Sequence, residues 1–393
     1  MKPHRHALRA LAVSTVLALG AVAAPLATAA PHPAVHAATH SAHSTHSAPD
    51  ASALRAAISG LPDQDATAAL VRVGGTSGSW HGVAGVRDLR TGAKALENAR
   101  FRAGSTTKVV TAAVVLRLAA DGRVDLDAPV QEYLPDLFAP NAGAFPDPIS
   151  VRRLLNHTSG LKPGTSWGAD FEEAYSHRFE TLTPRQVVAG SVAAGRAHAP
   201  GTVQEYLGIN YTLLGLLVEK VTGRPFAAGA ERLVLRPAGM RHTYFPGTDP
   251  RIRGPHNRGY QLSGGKLLDV TEWNQYDRLA GGDMISTTAD LERLITSLFR
   301  GRIVPQPQLR EMFTVPAGIE GATMSAGLQR FTSDDGKVVW LKTGSRYGYN
   351  SVVGATRDLS RTLVYSVNST DAKGEDMNAV AQRIVLATLK NLD

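Results

Sequence analysis

Cysteine is absent from this chain. Its absence removes disulfides, thiolate nucleophiles, Cys-ligated zinc and lipid attachment through an N-terminal cysteine, so stability has to come from packing. No apolar run is long enough to span a bilayer: the longest, Ala10 to Ala24, falls short of the roughly 20 residues required. The basic residues are dispersed and do not form a stripe, which excludes a nucleic-acid-binding face. There is no internal repeat.

The short apolar stretch has a different use. Lys2, Arg5 and Arg9 precede it and Ala27-Thr28-Ala29 follows, the order of a secretory signal peptide with cleavage expected near Ala29. Residues 1–29 are therefore read as a signal and the mature protein as secreted, with no stable membrane anchor. Loss of the three basic residues lowers the formal charge from +8 to +5, a mild excess suited to anionic surfaces such as a cell wall. Residues 30–52 are Ala, His, Ser, Thr and Pro without periodicity and read as a disordered tether. Its His32, His36, His40, His43 and His46 are irregularly spaced and read as solvated, so no metal or cofactor is assigned.

Residues 53–393, in a chain that is 43% hydrophobic, can bury a sizeable core. Two β-like runs, Thr67 to Val73 and Trp80 to Arg87, form an expected hairpin. Helical spacing of apolar residues then recurs over Thr106 to Ala120, Val151 to Asn156, Pro184 to Ala194, Tyr211 to Val221 and Ala289 to Phe299. Strands return at Val338 to Leu341, Ser351 to Thr356 and Thr362 to Val367, before a closing helix from Asp376 to Leu389. This order implies a mixed α/β (α+β) domain with one sheet closed by both chain ends and a helical insertion over roughly 120–290.

The chemistry begins at Ser105-Thr106-Thr107-Lys108, which follows Gly104 and opens an apolar helix. Three residues apart, Ser105 and Lys108 share a helix face. A serine hydroxyl attacks only when a neighbouring base takes its proton, and a lysine serves when burial or a second cation lowers its pKa. The amide at the helix start can donate to an oxyanion. Alone, this tetrapeptide also reads as an ordinary N-cap serine. Lys342-Thr343-Gly344, at the end of a strand, is the partner motif of such serine enzymes. There Lys342 adds a second charge, Thr343 can bond a carboxylate, Gly344 permits close approach of a substrate backbone, and the Ser345 amide is a second oxyanion donor.

With these motifs the chain resembles the serine β-lactamase-like proteins: class C β-lactamases, D-alanyl-D-alanine carboxypeptidases and related esterases and amidases. The resemblance covers roughly residues 55 to 390. It rests on Phe101 through Lys108, on Leu154-Leu155-Asn156-His157-Thr158-Ser159-Gly160-Leu161, on Pro200-Gly201 before Tyr206, on Leu214-Gly215, on Gly281-Gly282 before Ser286-Thr287, and on Lys342-Thr343-Gly344. It implies an antiparallel sheet flanked by helices beside a mostly helical region, with the active site between them. The middle motif of the family is Tyr-X-Asn, and Tyr206-Leu207-Gly208 stands on it, so Gly208 replaces the asparagine. Carried over, Tyr206 is general acid and base with Lys108. The missing amide would ordinarily contact the substrate's acyl-side amide carbonyl and Lys108. Asn210 matches a different position and is not expected to reach.

Gly164-Thr165-Ser166-Trp167-Gly168 formally fits the Gly-X-Ser-X-Gly nucleophile elbow, but no apolar strand leads into it, so Ser166 is set aside. His157 is read as structural. The functional expectation is an acyl-enzyme hydrolase, likened to D-alanyl-D-alanine carboxypeptidases, on peptidoglycan stem peptides. A broad esterase, a β-lactamase and a non-catalytic peptidoglycan-binding relative are the alternatives. A monomer is expected.

Overall fold

The computed structural model describes residues 47–168, 170–333 and 336–389. The expected signal peptide, its cleavage point and the tether through residue 46 lie outside the described residues. Of the span expected to be tether, residues 47–52 are described, and a helix begins within them. The Asp50 carboxylate accepts the amides of Ser52 at 3.0 Å and Ala53 at 2.9 Å and starts helix α1, Ala51–Ala57. Such a cap satisfies donors that a helix start leaves open.

Small and β-branched residues then form strands β1 (Ala66–Gly74) and β2 (Trp80–Asp88), a hairpin with Leu70 opposite Val83. Short strands β3 (Ala93–Lys94) and β4 (Phe101–Arg102) follow. A 3-10 turn over Gly104–Thr106 leads into helix α2, Thr107–Ala120. The middle of the chain supplies α3 (Val151–Leu155), α4 (Pro184–Ala194) and α5 (Gly208–Thr222). Next come a hairpin of β5 (Tyr260–Ser263) and β6 (Lys266–Asp269), strand β7 (Ile285–Ser286) and helix α6 (Thr288–Phe299). The chain ends with β8 (Gln329–Thr332), β9 (Val338–Arg346), β10 (Tyr349–Thr356), β11 (Thr362–Ser369) and α7 (Ala379–Leu389).

Seven of these strands form one antiparallel sheet in the order β3-β2-β1-β11-β10-β9-β8. The pairing of β1 with β11, Val71 opposite Tyr365 and Ala69 opposite Val367, joins the two ends of the domain as expected. Both faces of the sheet are covered, and side chains alternate between them. Leu363, Tyr365 and Val367 meet Leu54 of α1 and Ile384 of α7 on one face, whereas Val353 and Val364 join the main core on the other. Strands buried on both faces need apolar residues at successive positions, so these runs lack a strict polar alternation.

The main core is built around α2 and α5, where eleven of fourteen and ten of fifteen residues are buried. Neither helix has a solvent face to speak of, which fits interior elements. The core fixes α2 against the sheet and so fixes what α2 carries. Leu214→Ala, at a fully buried α5 position, should cost about 2–5 kcal/mol and lower Tm in thermal or denaturant unfolding. A loss below about 1 kcal/mol would mean that this core closes over the gap.

Candidate active site

Ser105 lies in the 3-10 turn ahead of α2, with β9 passing directly against it. Gly104 has φ of +55°, and a Cβ there would sit 2.7 Å from Ser345 N. On the other side, a Cβ on Gly344 would sit 2.1 Å from Ala103 O and 2.5 Å from Ser351 Oγ. The turn and the strand therefore meet backbone to backbone, and Ser351 Oγ adds a 2.8 Å hydrogen bond to Ala103 O. This revises the reading of Gly344: the space kept free by its missing side chain is filled by the turn carrying Ser105. The same contact sets the Ser345 amide beside the Ser105 turn.

A strap over residues 280–284 locks α2 from the opposite side. Thr111 Oγ1 donates to Ala280 O at 2.6 Å, Thr107 Oγ1 accepts from Met284 N at 3.2 Å, and Ala103 N donates to Met284 O at 2.9 Å. Lys108 Nζ donates to Gly281 O at 2.6 Å and to Ser105 Oγ at 3.4 Å. Gly281-Gly282 thus does a definite job: its carbonyl aims the lysine at the serine. Lys108 is 2% exposed, and burial, helped by the charges of Lys342 and Arg278, lowers its pKa, while Tyr206 opposes the shift.

Tyr206 stands between the two lysines, its ring 5.1 Å from Lys108 Nζ and 4.6 Å from Lys342 Nζ. Its Oη is buried, with Ser105 and Lys108 beside it. Burial resists ionisation of the phenol, but the ammonium charges of Lys108 and Lys342 outweigh it and bring the group down to about 7. Lys342 is 8% exposed and also donates to Thr343 O at 3.0 Å. Thr343 is exposed and Ser345 half-buried, its Oγ donating to Ala372 O.

Behind Tyr206, the His157 ring packs 4.7 Å from it and 5.2 Å from Tyr211. His157 is held well below its usual pKa by burial and by the two lysines, so it stays neutral. Its Nδ1 accepts the Leu207 amide at 3.3 Å, and Asn210 Nδ2 lies 3.2 Å from the same atom. Asn210 Oδ1 is taken by Ser159 Oγ at 2.6 Å. Asn210 is therefore committed behind the site and does not stand in for the amide missing at Gly208. Gly208 itself is exposed at the start of α5, and a Cβ there would meet nothing within 4 Å.

Ser166 is elsewhere, in a loop, with its Oγ bonded to Gly168 O at 3.3 Å and no strand before it. Three residues of the site region escaped the motif reading. Asp283 is buried, with a carboxyl pushed up to about 8 by desolvation. Arg278 and Arg346 flank the same strap and strand. Their only sequence signal is position: Arg346 lies two residues past Gly344 on the buried face of β9. Among the described residues no group of three His, Asp or Glu side chains could hold a metal ion, and no helix is long and apolar enough to cross a membrane.

A serine facing a buried lysine and a tyrosine, where an antiparallel sheet meets a helical region, defines the class of penicillin-recognising serine hydrolases. The chain belongs to the beta-lactamase family, whose model matches residues 54–387. It is 30% identical over 213 residues to Protein flp of Staphylococcus aureus (strain COL), 54% of this chain and 41% of that protein. It is 34% identical over 190 residues to Esterase EstB of Burkholderia gladioli, 44% of this chain and 46% of that protein. The matches thus span less than half the length of these curated relatives. Among solved structures, a D-stereospecific amidohydrolase from Streptomyces sp. aligns with a TM-score of 0.74 at 30% identity, covering 87% of this chain and 99% of that one. D-amino acid amidase from Ochrobactrum anthropi SV3, complexed with L-phenylalanine, aligns at 0.72 and 25% identity, covering 86% and 99%.

The two-lysine field around Tyr206 has a measurable sign. A phenol near 7 is mostly neutral below that pH and mostly phenolate above it, so a step that needs the phenolate should slow about tenfold per unit below pH 7 and level off above it. Ultraviolet difference titration of the folded protein should show one tyrosine ionising near 7, absent in Tyr206→Phe. A titration confined to the usual range near 10 would show that the lysines do not control this phenol.

Proposed function

We propose that the protein is a secreted serine hydrolase that forms an acyl-enzyme at Ser105 and acts on D-amino-acid amides and cell-wall-type D-peptides. The observation that carries this reading is the placement of Lys108 Nζ 3.4 Å from Ser105 Oγ with Tyr206 between Lys108 and Lys342. Ser105 Oγ attacks the scissile carbonyl carbon while its proton passes to the Lys108–Tyr206 pair. The carbonyl oxygen, now an oxyanion, accepts the amide hydrogens of Ser105 and Ser345. Collapse of the intermediate breaks the carbonyl–nitrogen bond, and the proton is returned to the leaving amine. Water then repeats the sequence on the ester and releases the acid.

The D-amino-acid substrate class is supported by the likeness to an amidohydrolase and an amidase named for such substrates. Secretion rests on the order of basic, apolar and small residues at the N-terminus. An esterase is the second reading, favoured by Gly208: without an amide side chain there, the site lacks one donor toward an acylamino group. The likeness to an esterase points the same way.

Mass spectrometry after incubation with benzylpenicillin or a nitrophenyl ester should show a covalent adduct on Ser105, with no adduct and no turnover in a folded Ser105→Ala protein. An adduct retained by that variant would overturn the assignment, and a wild type that never acylates would favour a binding relative. Ser166→Ala should leave the rates within about twofold, as expected of a surface change away from any special feature.

The open space beside Gly208 permits a sharper test. Gly208→Asn should raise acylation by benzylpenicillin relative to nitrophenyl-ester hydrolysis, by up to about tenfold for one recovered hydrogen bond. Both rate constants measured on both proteins decide it, since an unchanged ratio means that another group already serves the acylamino side.

A further inference from the structure

We propose that Lys373 is a selectivity residue: its amine is bonded to the Ser345 carbonyl, the group that would accept the N–H of an acylamino substituent on the substrate. This rests on the acyl-enzyme reading of the cleft and concerns which acyl groups that cleft favours.

Strand β9 has two edges. Along one of them β10 pairs as far as Arg346, opposite Tyr349, whereas on the other β8 reaches only Leu341, opposite Gln329. From Lys342 onward this second edge has no strand beside it among the described residues and borders the cleft. Ser345 turns its polar backbone there, since a Cβ on Gly104 would sit 2.7 Å from Ser345 N and 2.9 Å from Ser345 O. Two residues that face each other in an antiparallel pair can exchange both bonds, each N–H to the other's oxygen. An extended substrate whose scissile carbonyl accepts the Ser345 N–H therefore points the N–H of the same residue at Ser345 O.

That acceptor is taken. Lys373 Nζ donates to Ser345 O at 3.2 Å, and the other carbonyl of this edge, Thr343 O, accepts from Lys342 Nζ at 3.0 Å. The position of Lys373 is fixed by the residue before it. Ala372 O accepts from Ser345 Oγ and, at 3.0 Å, from Asn350 Nδ2, while Ala372 N donates to Gln261 Oε1 at 3.3 Å. Gln261 Nε2 in turn donates to Asp371 Oδ1 at 3.1 Å, so the loop is tied to β5, β9 and β10 at once. The amine faces the cleft: desolvation and the like charges of Arg346, Arg278 and Lys108 pull its pKa down to about 7 against the Tyr206 phenol.

Two features thus bear on one substituent. Gly208 leaves an acylamino carbonyl without a side-chain donor, and Lys373 holds the acceptor for the acylamino N–H. An incoming N–H has to displace the lysine, and one bond is exchanged for another with little net gain. An acyl group with no N–H at that position loses nothing, so the site discriminates in its favour.

Two uncharged nitrophenyl esters isolate the N–H: that of phenylacetylglycine, and its phenylacetoxyacetate analogue, in which oxygen replaces the N–H. The measured quantity is the ratio of their kcat/KM values, amide over oxygen analogue, each divided by the alkaline hydrolysis rate of the ester. Any change in the titration of Tyr206 or Lys108 acts on both esters and cancels. Lys373→Met, which keeps the bulk and removes the donor, should raise the ratio about twofold to tenfold, the worth of one hydrogen bond, whereas Lys373→Arg, which keeps a donor, should hold it near the wild-type value. A ratio unchanged by Lys373→Met overturns the proposal. So does an equal fall in both rates, the mark of a lysine that only holds its loop. Dissociation constants of the two corresponding carboxamides on Ser105→Ala protein, by calorimetry, read the same ratio without turnover. A rise there on adding Lys373→Met, in a protein whose Ser105 never acylates, would overturn the hydrolase reading and leave the role of Lys373 standing.

Discussion

The site depends on one contact, the backbone of the Ser105 turn lying against the backbone of β9. Gly104 and Gly344 make it possible from opposite sides, since a Cβ on either would fall under 3 Å from the other segment. Real side chains do not approach backbone so closely, so the contact requires glycine at both positions. It also requires β9 to be where it is. That follows from the β1–β11 pairing, which closes the sheet across the two ends of the domain, and from β10, whose Ser351 reaches Ala103. Move this contact by an ångström and Ser105, Lys342 and the Ser345 amide no longer share a cleft.

Around that contact the fold gathers charges of one sign, which costs stability and produces reactivity. Burial alone would hold Tyr206 protonated. Two ammonium groups within about five ångströms of its ring reverse the outcome, and Lys108 in turn is easier to deprotonate for the presence of Lys342. The Gly281 carbonyl, accepting from Lys108 Nζ at 2.6 Å, then holds the lysine 3.4 Å from Ser105 Oγ. The neutral His157 packs behind the tyrosine and Asn210 is tied to Ser159, so the amide chemistry near the site is used in holding Tyr206 in place. Replacement of the usual asparagine by Gly208 is not repaired from there, and its cost falls on how the acyl group is held.

Much of the architecture could be read from short windows. The helix expected over Pro184 to Ala194 has those bounds, with Thr183 and Gln186 forming its capping box. The strands at both ends and the long α2 also stand within a few residues of the expected positions. Short windows failed where the signal was small or polar. The Ala/Ser-rich run hid a helix that Asp50 caps. The β5–β6 hairpin was passed over although Ser263-Gly264-Gly265-Lys266 carries its turn, both glycines at positive φ. Arg346 gave no motif at all.

The sequence by itself determined the serine and lysine three residues apart on one helical turn, the Lys-Thr-Gly strand, and the alternation of elements that makes a sheet with a helical insertion. These are local properties, set by side-chain chemistry and by periods of two or 3.6 residues. Only the tertiary structure decided that Gly344 faces the turn carrying Ser105, that the Gly281 carbonyl aims Lys108, and that Asn210 is spent behind the site. It also decided that Arg346 is buried beside the Trp273 ring, its Nε without a partner among the described residues. Each of these depends on segments far apart in the chain, such as Ala103 and Ser351, 248 positions apart. Distances, burial and the field of neighbouring charges between such segments exist only once the sheet has closed.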